Sequence, residues 1–385
     1  MTADANQGAS KTGQMVGLLL VLAVIVAGLL ALWPRPQVPG GQPSGPGTPQ
    51  PLPPGSGSPS PGGPQGPGPG GPPPGVSQAE FDTWPQVTVL APRGGRAGFL
   101  QRAKQRSMYA SEKVRVNLYG MGDAPGQYVP LDLSRYSEST ADDQEHEREV
   151  CRSVAEGKAE AACVRTPIFL EALGKGLPLV AVAKLGYEGP RNVVLNKGMR
   201  RLDAATLRGK TVGLSEALLD EPLLRETMKS LGLTLGTDVK YVVVKDPDEL
   251  PAGLGNRFDA LILGPFRAEV LVRDGKAGWG DRVDWTLLDP KLSTISNLLV
   301  FRKDYVEKNP DLVKKVVTGI GRTVAEKAGT QASLSKGGTD PRLPKEEINT
   351  LQELMQREGL LPKSFSLGDS LRTEFLEGWR PGQDK

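Results

Sequence analysis

The pattern of apolar and polar positions divides the chain into three regions. Residues 15–33 form an apolar run without a charged side chain. Residues 34–77 consist mainly of proline, glycine and serine, and from residue 78 onward short apolar runs alternate with amphipathic stretches. Only the third pattern is typical of a globular domain, so we predict one folded domain over residues 78–385.

This globular region alternates strand-like and helix-like patterns. Short apolar runs predict strands, and longer stretches with apolar residues at helical spacing predict helices. The predicted strands lie at residues 87–90, 114–119, 161–164, 177–185, 192–195, 211–214, 240–244, 258–263, 283–288 and 295–301. The predicted helices lie at residues 97–110, 142–156, 168–173, 202–207, 217–231, 247–254, 311–328, 344–358 and 371–379. The alternation is that of βαβ units and predicts an α/β fold.

The clearest unit is the strand at 211–214 followed by the helix at 217–231. Pro222 is tolerated only in the first turn of a helix, so we expect this helix to begin a few residues late. Ser215 and Glu216 stand between strand and helix, at the edge where open α/β sheets bind ligands. The unpaired N–H groups of a helix start favour anions and polar ligand atoms there.

The apolar run at 15–33 is long enough to cross about 28 Å of hydrocarbon as a helix. We predict a single membrane-spanning helix preceded by a short cytoplasmic tail at residues 1–14. The alternative is a cleaved secretory signal, but the run is longer than a usual signal core and lacks a small-residue cleavage pattern. No cysteine lies near its end, which excludes a lipoprotein anchor.

The Pro/Gly/Ser tract at 34–77 has few apolar side chains to bury. Such a composition does not offset the entropy of ordering, so we predict a disordered linker that is partly polyproline II. Fully extended, it would reach on the order of 130 Å.

Charge and histidine content exclude several functions. The formal net charge is +3, which gives no strong basic field for nucleic acid. The single histidine, His146, lies in an acidic run without the spacing of a metal site or a Ser-His-acid arrangement. The glycines at 120, 122 and 126 have the wrong spacing for a dinucleotide loop. We therefore predict no enzyme activity, no metal, no cofactor and no nucleic-acid partner.

Cys151 and Cys163 are the two cysteines of the chain. Their separation is too wide for a CxxC motif. If the domain is exported, the pair predicts a disulfide that closes a short loop, and the alternative is two buried thiols.

Three segments carry a family resemblance: residues 207–214, 258–265 and 300–313. In this order they resemble landmarks of periplasmic (type II) solute-binding proteins of ABC transporters, closest to the nitrate/sulfonate/thiamine-precursor-binding group. The similarity extends over about residues 113–328. It implies two α/β lobes, joined by two crossing segments, that close on a ligand like a hinge. We place lobe 1 at about 86–187 and 296–385, and lobe 2 at about 188–295.

The resemblance also implies an extracytoplasmic domain on a single-pass anchor in the cell membrane, with an ABC permease as partner. The chain departs from the family in its spanning helix and long linker, and in a long polar stretch at 124–143.

Candidate ligand contacts are residues at the carboxyl ends of predicted strands and at the first crossing. They are Tyr119, Gly120, Met121, Arg165, Thr166, Tyr187, Ser215, Glu216, Gly264 and Pro265. Arg165 is suited to an acid group, and Ser215 to a hydrogen bond at the helix start. Alternatively, Arg165 is a surface cation, Ser215 a helix cap, Glu216 a first-turn acid and Tyr187 a hinge-packing residue.

These expectations lead to one function and one alternative. The first is a membrane-tethered extracytoplasmic solute-binding protein that captures a small anionic or organic-acid-like ligand for an ABC importer. The alternative is a tethered receptor or scaffold that keeps the fold but serves signalling or protein–protein interaction.

Overall fold

The computed structural model describes residues 72–73, 75–92, 98–122, 127–131, 144–199, 201–246, 249–330 and 340–377. Within these ranges no helix is long and apolar enough to cross a membrane. The predicted spanning helix at 15–33, the tail before it and nearly all of the linker lie outside the described residues.

Strands and helices alternate through most of the described chain. The strands are β1 Gln86–Ala91, β2 Arg115–Met121, β3 Tyr128–Pro130, β4 Ala161–Arg165, β5 Leu179–Glu188, β6 Arg191–Asn196, β7 Thr211–Ser215, β8 Lys240–Val244, β9 Ala260–Leu263, β10 Ala277–Val283 and β11 Ile295–Arg302. The helices are α1 Gln78–Asp82, α2 Gly98–Gln105, α3 Gln144–Ala155, α4 Thr166–Gly174, α5 Ala204–Leu207, α6 Asp220–Ser230, α7 Glu249–Gly253, α8 Pro265–Arg273, α9 Lys303–Lys308, α10 Pro310–Thr330 and α11 Lys345–Arg357.

The first lobe is built on a sheet with the strand order β3-β2-β1-β4-β11-β5. Its central strands β4 and β11 are mostly apolar, and nearly every one of their residues is buried, as expected when helices cover both faces of a sheet. Ala162 and Val164 of β4 face the core that contains α3, whereas Ala161 and Cys163 face the core that contains α10.

The second lobe is built on a sheet with the strand order β10-β6-β9-β7-β8. Its interior strand β7 needs a glycine, because a Cβ at Gly213 would lie 2.8 Å from side-chain atoms of both Leu261 and Phe258. Helix α6 begins at Asp220 and holds Pro222 in its first turn, which confirms the late start predicted from the proline.

The chain passes between the two sheets twice, and in each sheet the two passages join neighbouring strands, β5 and β11 in the first and β6 and β10 in the second. The first runs from Glu188 at the end of β5 to Arg191 at the start of β6. The second runs from Val283 at the end of β10 to Ile295 at the start of β11. Because β5 and β11 are antiparallel neighbours, with Glu188 opposite Ile295, the two passages lie side by side. The predicted two-lobed α/β fold is confirmed.

Two predicted elements differ from the structure. The strand predicted at 283–288 is wrong: Asp284 caps a short 3-10 helix at Trp285–Leu287, and the edge strand of the second sheet is β10, which precedes it. The helix predicted at 371–379 is reduced, within the described residues, to a 3-10 turn at Glu374–Leu376. The glycines of β10 conceal its strand pattern, because they provide no apolar side chain to count.

The predicted disulfide between Cys151 and Cys163 is corrected by the structure, in which each residue is a buried thiol. Cys151 lies on α3 and packs in the core on one face of the first sheet. Cys163 lies on β4 and faces the core on the opposite side. Since alternate residues of a strand face opposite sides of a sheet, these two sulfur atoms cannot meet across β4.

We predict that the unfolded chain titrates as two thiols without added reductant. Burial raises the pKa of the Cys151 thiol, with the nearby Glu147 adding to the effect. The native protein should therefore react slowly with a thiol reagent, and denaturation should expose both groups. Exported protein that shows no titratable thiol after denaturation would contradict the arrangement.

Candidate functional site

Arg165 marks the junction between the lobes at the end of β4. Its side chain is buried, and its Nε donates to Glu147 Oε1 of α3 at 2.9 Å. The Arg165 backbone N–H also donates to Glu147 Oε2, at 3.2 Å. Because the same carboxylate binds the main chain and the side chain, Glu147 sets the direction of the guanidinium.

Glu188 and Arg191 flank the first passage between the sheets. Glu188 Oε1 lies 3.5 Å from Arg165 Nη1 and 3.2 Å from Arg191 Nη1. One carboxylate oxygen therefore contacts an arginine of the first lobe and an arginine of the second lobe.

Arg191 continues this series of contacts into the second lobe. Its Nε donates to Asp220 Oδ1 at 2.8 Å, and Asp220 Oδ2 accepts from Ser215 Oγ at 3.0 Å. The guanidinium also lies over the ring of Trp285, 5.7 Å from its centroid, which is a cation–π geometry.

We refer to Glu147, Arg165, Glu188, Arg191 and Asp220 as the interlobe ion chain. Acid and base alternate along it, from α3 of the first lobe to α6 of the second. Buried ion pairs recover the cost of desolvation only when each charge keeps its partners, so the chain favours one arrangement of the two lobes.

The second passage is held by a different set of contacts. Thr166 Oγ1 donates to the backbone oxygen of Ser296 at 2.8 Å. Ser296 Oγ and Thr294 Oγ1 donate to the Glu347 carboxylate of α11 at 3.0 and 3.4 Å. Burial raises the pKa of Glu347, although the hydrogen bond from Ser296 and the charge of Lys184 oppose the shift.

The two lobes also contact each other beside the ion chain. The backbone N–H of Leu218, just before α6, donates to Gln144 Oε1 at the start of α3 with a distance of 3.2 Å. This hydrogen bond joins the two helices that carry Glu147 and Asp220.

The structure brings three of the sequence-predicted residues to this junction. Arg165 belongs to the ion chain, Ser215 binds its last carboxylate, and Tyr187 precedes Glu188 on β5, opposite Ser296. Thr166 lies beside them, but its hydroxyl group is hydrogen-bonded to the second passage.

The other predicted ligand contacts lie away from the junction between the lobes or at its edge. Tyr119 is buried in the core at β2, two strands from β4; Gly120 is also buried, and Met121 ends that strand. Glu216 is exposed. Gly264 precedes α8, and Pro265 packs against the first passage, since a Cβ at Gly189 would lie 3.3 Å from Pro265 Cγ.

Sequence reasoning missed four members of the ion chain: Glu147, Glu188, Arg191 and Asp220. Glu147 sits in a charged helix that resembles a solvated surface, and Asp220 resembles an ordinary first-turn acid. One signal was available in the sequence: Glu188 and Arg191 carry opposite charges on either side of Gly189-Pro190. A segment that crosses between two lobes has little reason to carry exposed charge, so this pair indicates an ion pair at the crossing. Among the residues that the structure describes, no group of three or more His, Cys, Asp or Glu side chains could hold a metal ion.

Comparisons with known proteins agree with the two-lobed α/β fold. Residues 142–329 match the family described as NMT1/THI5 like. The resemblance to periplasmic solute-binding proteins of ABC transporters is confirmed. No curated protein sequence matches the chain.

Solved structures with this solute-binding-protein fold cover about three quarters of the chain. A putative periplasmic sulfonate-binding protein SsuA from Methylobacillus flagellatus KT is 16% identical, with a TM-score of 0.58 over 77% of this chain and 93% of its own. The ligand-binding component of an ABC-type import system from Staphylococcus aureus, solved with zinc bound, is 13% identical, with a TM-score of 0.54 over 76% and 98%. The periplasmic nitrate-binding protein NrtA from Synechocystis PCC 6803 is 15% identical, with a TM-score of 0.53 over 77% and 88%. Each of these three proteins is described as a binding protein.

We predict that Arg191→Met destabilises the protein strongly. The variant leaves the buried Asp220 and the partly buried Glu188 without their shared cation, and breaking a buried pair in this way typically costs about 3–5 kcal/mol. Arg225→Met is the matched control, because Arg225 forms its ion pairs with Glu221 and Glu358 at the surface. The control should cost about 0–1 kcal/mol. Urea unfolding of both variants measures the difference, and equal losses would show that the ion chain contributes no more than a surface pair.

We predict that Glu347→Gln removes part of the pH dependence of stability. The raised pKa means that the folded protein holds this proton more tightly than the unfolded chain. The unfolding free energy should therefore fall as the pH rises from the ordinary glutamate value through the raised one, and the amide variant should lack that decline. Denaturant unfolding across this pH range measures the effect.

Glu346→Gln, at the exposed neighbouring position, is the control for loss of one acid from the same helix. The assignment is wrong if Glu347→Gln declines with pH as steeply as the wild type does.

Proposed function

We propose that this protein is a membrane-tethered, extracytoplasmic solute-binding protein that captures a small anionic or organic-acid-like ligand for an ABC importer. The observation that carries the proposal is the convergence of two buried arginines, Arg165 of one lobe and Arg191 of the other, at the passage between the lobes. Guanidinium groups bind carboxylates, sulfonates and related oxyanions through paired hydrogen bonds.

Two adjacent passages between the lobes suit a hinge motion that closes one lobe on the other. The lobes correspond to about residues 86–187 with 296–385, and to 188–295, and the passages between them lie side by side. Adjacent crossing segments allow one lobe to rotate against the other about a common line. A ligand that contacts both lobes would favour the closed form by its differential affinity.

Within the cleft, Arg165, Tyr187 and Ser215 are the proposed ligand contacts best supported by position. Ser215 ends β7 beside the start of α6, where N–H groups favour polar ligand atoms. Gly264 and Pro265 would border the passage from the second lobe, and Glu216 would lie at its exposed rim. Tyr119, Gly120, Met121 and Thr166 would contribute packing around the site.

The tether is proposed from the sequence alone. The apolar run at 15–33 would span the cell membrane with residues 1–14 inside, and the linker at 34–77 would separate the binding domain from the bilayer. An ABC permease is the partner that this placement implies.

The second candidate is a tethered receptor or scaffold, and a specific observation favours it. The interlobe ion chain and the hydrogen bond from Leu218 to Gln144 join the lobes through the protein's own groups. A domain whose lobes are held together in this way would present a fixed surface to a protein partner.

A thermal-shift screen of the full chain in mild detergent distinguishes the two candidates. The panel contains nitrate, alkanesulfonates, organic acids, amino acids and pyrimidine precursors. A ligand present at about 100 times its dissociation constant should add about 2.7 kcal/mol to the unfolding free energy and raise the melting temperature. Silence across the panel from a well-folded protein would reject solute capture and favour the receptor.

A further inference from the structure

Glu188 differs from the other acids of the interlobe ion chain in how it is held. Its side chain is 13% exposed, whereas those of Arg165, Arg191 and Asp220 are 2% exposed. Its Oε1 atom lies 3.5 Å from Arg165 Nη1 and 3.2 Å from Arg191 Nη1. Glu147 and Asp220, by contrast, bind the Nε atoms of the two arginines at 2.9 and 2.8 Å.

This division of contacts orients both guanidiniums. Glu147 fixes Arg165 from the first lobe, and Asp220 fixes Arg191 from the second. Each arginine then directs its Nη1 atom at the same point, which the oxygen of Glu188 occupies. Two preoriented Nη1 donors around one oxygen form a site that would accept an oxygen of any carboxylate or sulfonate.

We propose that the Glu188 carboxylate is an internal occupant of an oxyanion site made by Arg165 and Arg191. An anionic ligand must displace this side chain before it can bind the two arginines. Replacing one singly charged anion by another keeps the charge of the ion chain unchanged, so the exchange adds no uncompensated buried charge. Glu188 thereby sets how tightly the cleft binds an anion.

The position of Glu188 couples this exchange to the passage between the lobes. Glu188 is the last residue of β5, and Gly189-Pro190 follows directly. The Glu188 carboxylate joins Arg165 of the first lobe to Arg191 of the second. Displacement of this carboxylate removes that link. This inference rests on the proposed function, because an internal anion regulates only a cleft that takes a solute.

Chemical rescue of Glu188→Ala in the full chain tests the proposal. The variant should be less stable than the wild type in urea, and formate, acetate or methanesulfonate should restore its stability with saturation. Chloride at equal ionic strength should restore it much less, because it lacks the oxygen geometry of a carboxylate. The wild type should respond weakly to the same anions, because Glu188 already fills the site.

Glu171→Ala is the matched control. The Glu171 side chain is also 13% exposed and also pairs with an arginine, Arg148, but that arginine is partly exposed and has Glu145 as a second acid. Rescue of Glu171→Ala to the same extent would overturn the proposal, as would the failure of every small oxyanion to rescue Glu188→Ala.

Glu188→Gln provides a second measurement if the alanine variant does not fold. The amide keeps the volume of the side chain but removes its charge, so an added anion displaces it more easily. Titration calorimetry with methanesulfonate should show tighter binding than to the wild type, by up to about tenfold if Glu188 occupies the site about nine-tenths of the time. Equal affinities would overturn the proposal.

The two proposals fail separately. Rescue of Glu188→Ala, together with a wild type that binds no member of the solute panel, supports the oxyanion site and rejects solute capture. A solute that stabilises the wild type, together with no rescue and no gain in anion affinity, supports solute capture and rejects the role of Glu188.

Discussion

The requirement that a buried charge keep its partners governs how the two lobes of this protein meet. Arg165 and Arg191 are too well buried to be solvated, so each depends on carboxylates supplied by other elements. Those carboxylates come from α3, from the end of β5 and from the start of α6. The relative position of three otherwise independent elements is therefore linked through one series of ion pairs.

The second passage is constrained differently, through hydrogen bonds to a partly buried acid rather than through ion pairs of arginine. Glu347 accepts hydrogen bonds from Ser296 and Thr294, and Thr166 donates one to the backbone oxygen of Ser296. The two passages thus respond to different chemistry although they lie side by side. Ion pairs of arginine hold the first passage, and a carboxyl group with a raised pKa holds the second.

Much of the fold could be predicted because its signals are local. The strand at 240–244 was predicted with the bounds that the structure has, and Pro222 placed the start of α6 correctly. The failures arise where tertiary pairing overrides local pattern. Strand β5 continues through Tyr187 and Glu188, beyond the predicted end at residue 185, because β11 supplies hydrogen-bond partners along its whole length. The candidate site was harder to predict from the sequence for the same reason. Nothing near Glu147 or Asp220 in the sequence indicates that these residues bind arginines 18 and 29 residues away, respectively.

The place of β11 in the first sheet also has a consequence for the order in which the protein can fold. This strand lies between β4 and β5, yet it is made only after the whole second lobe. As the chain emerges, β4 and β5 have no strand between them to pair with, while the second lobe is a continuous segment that can complete its own sheet. The nascent first lobe therefore waits with one edge of β4 open and with β5 unpaired, a state prone to aggregation, until residues 295–302 arrive to join them.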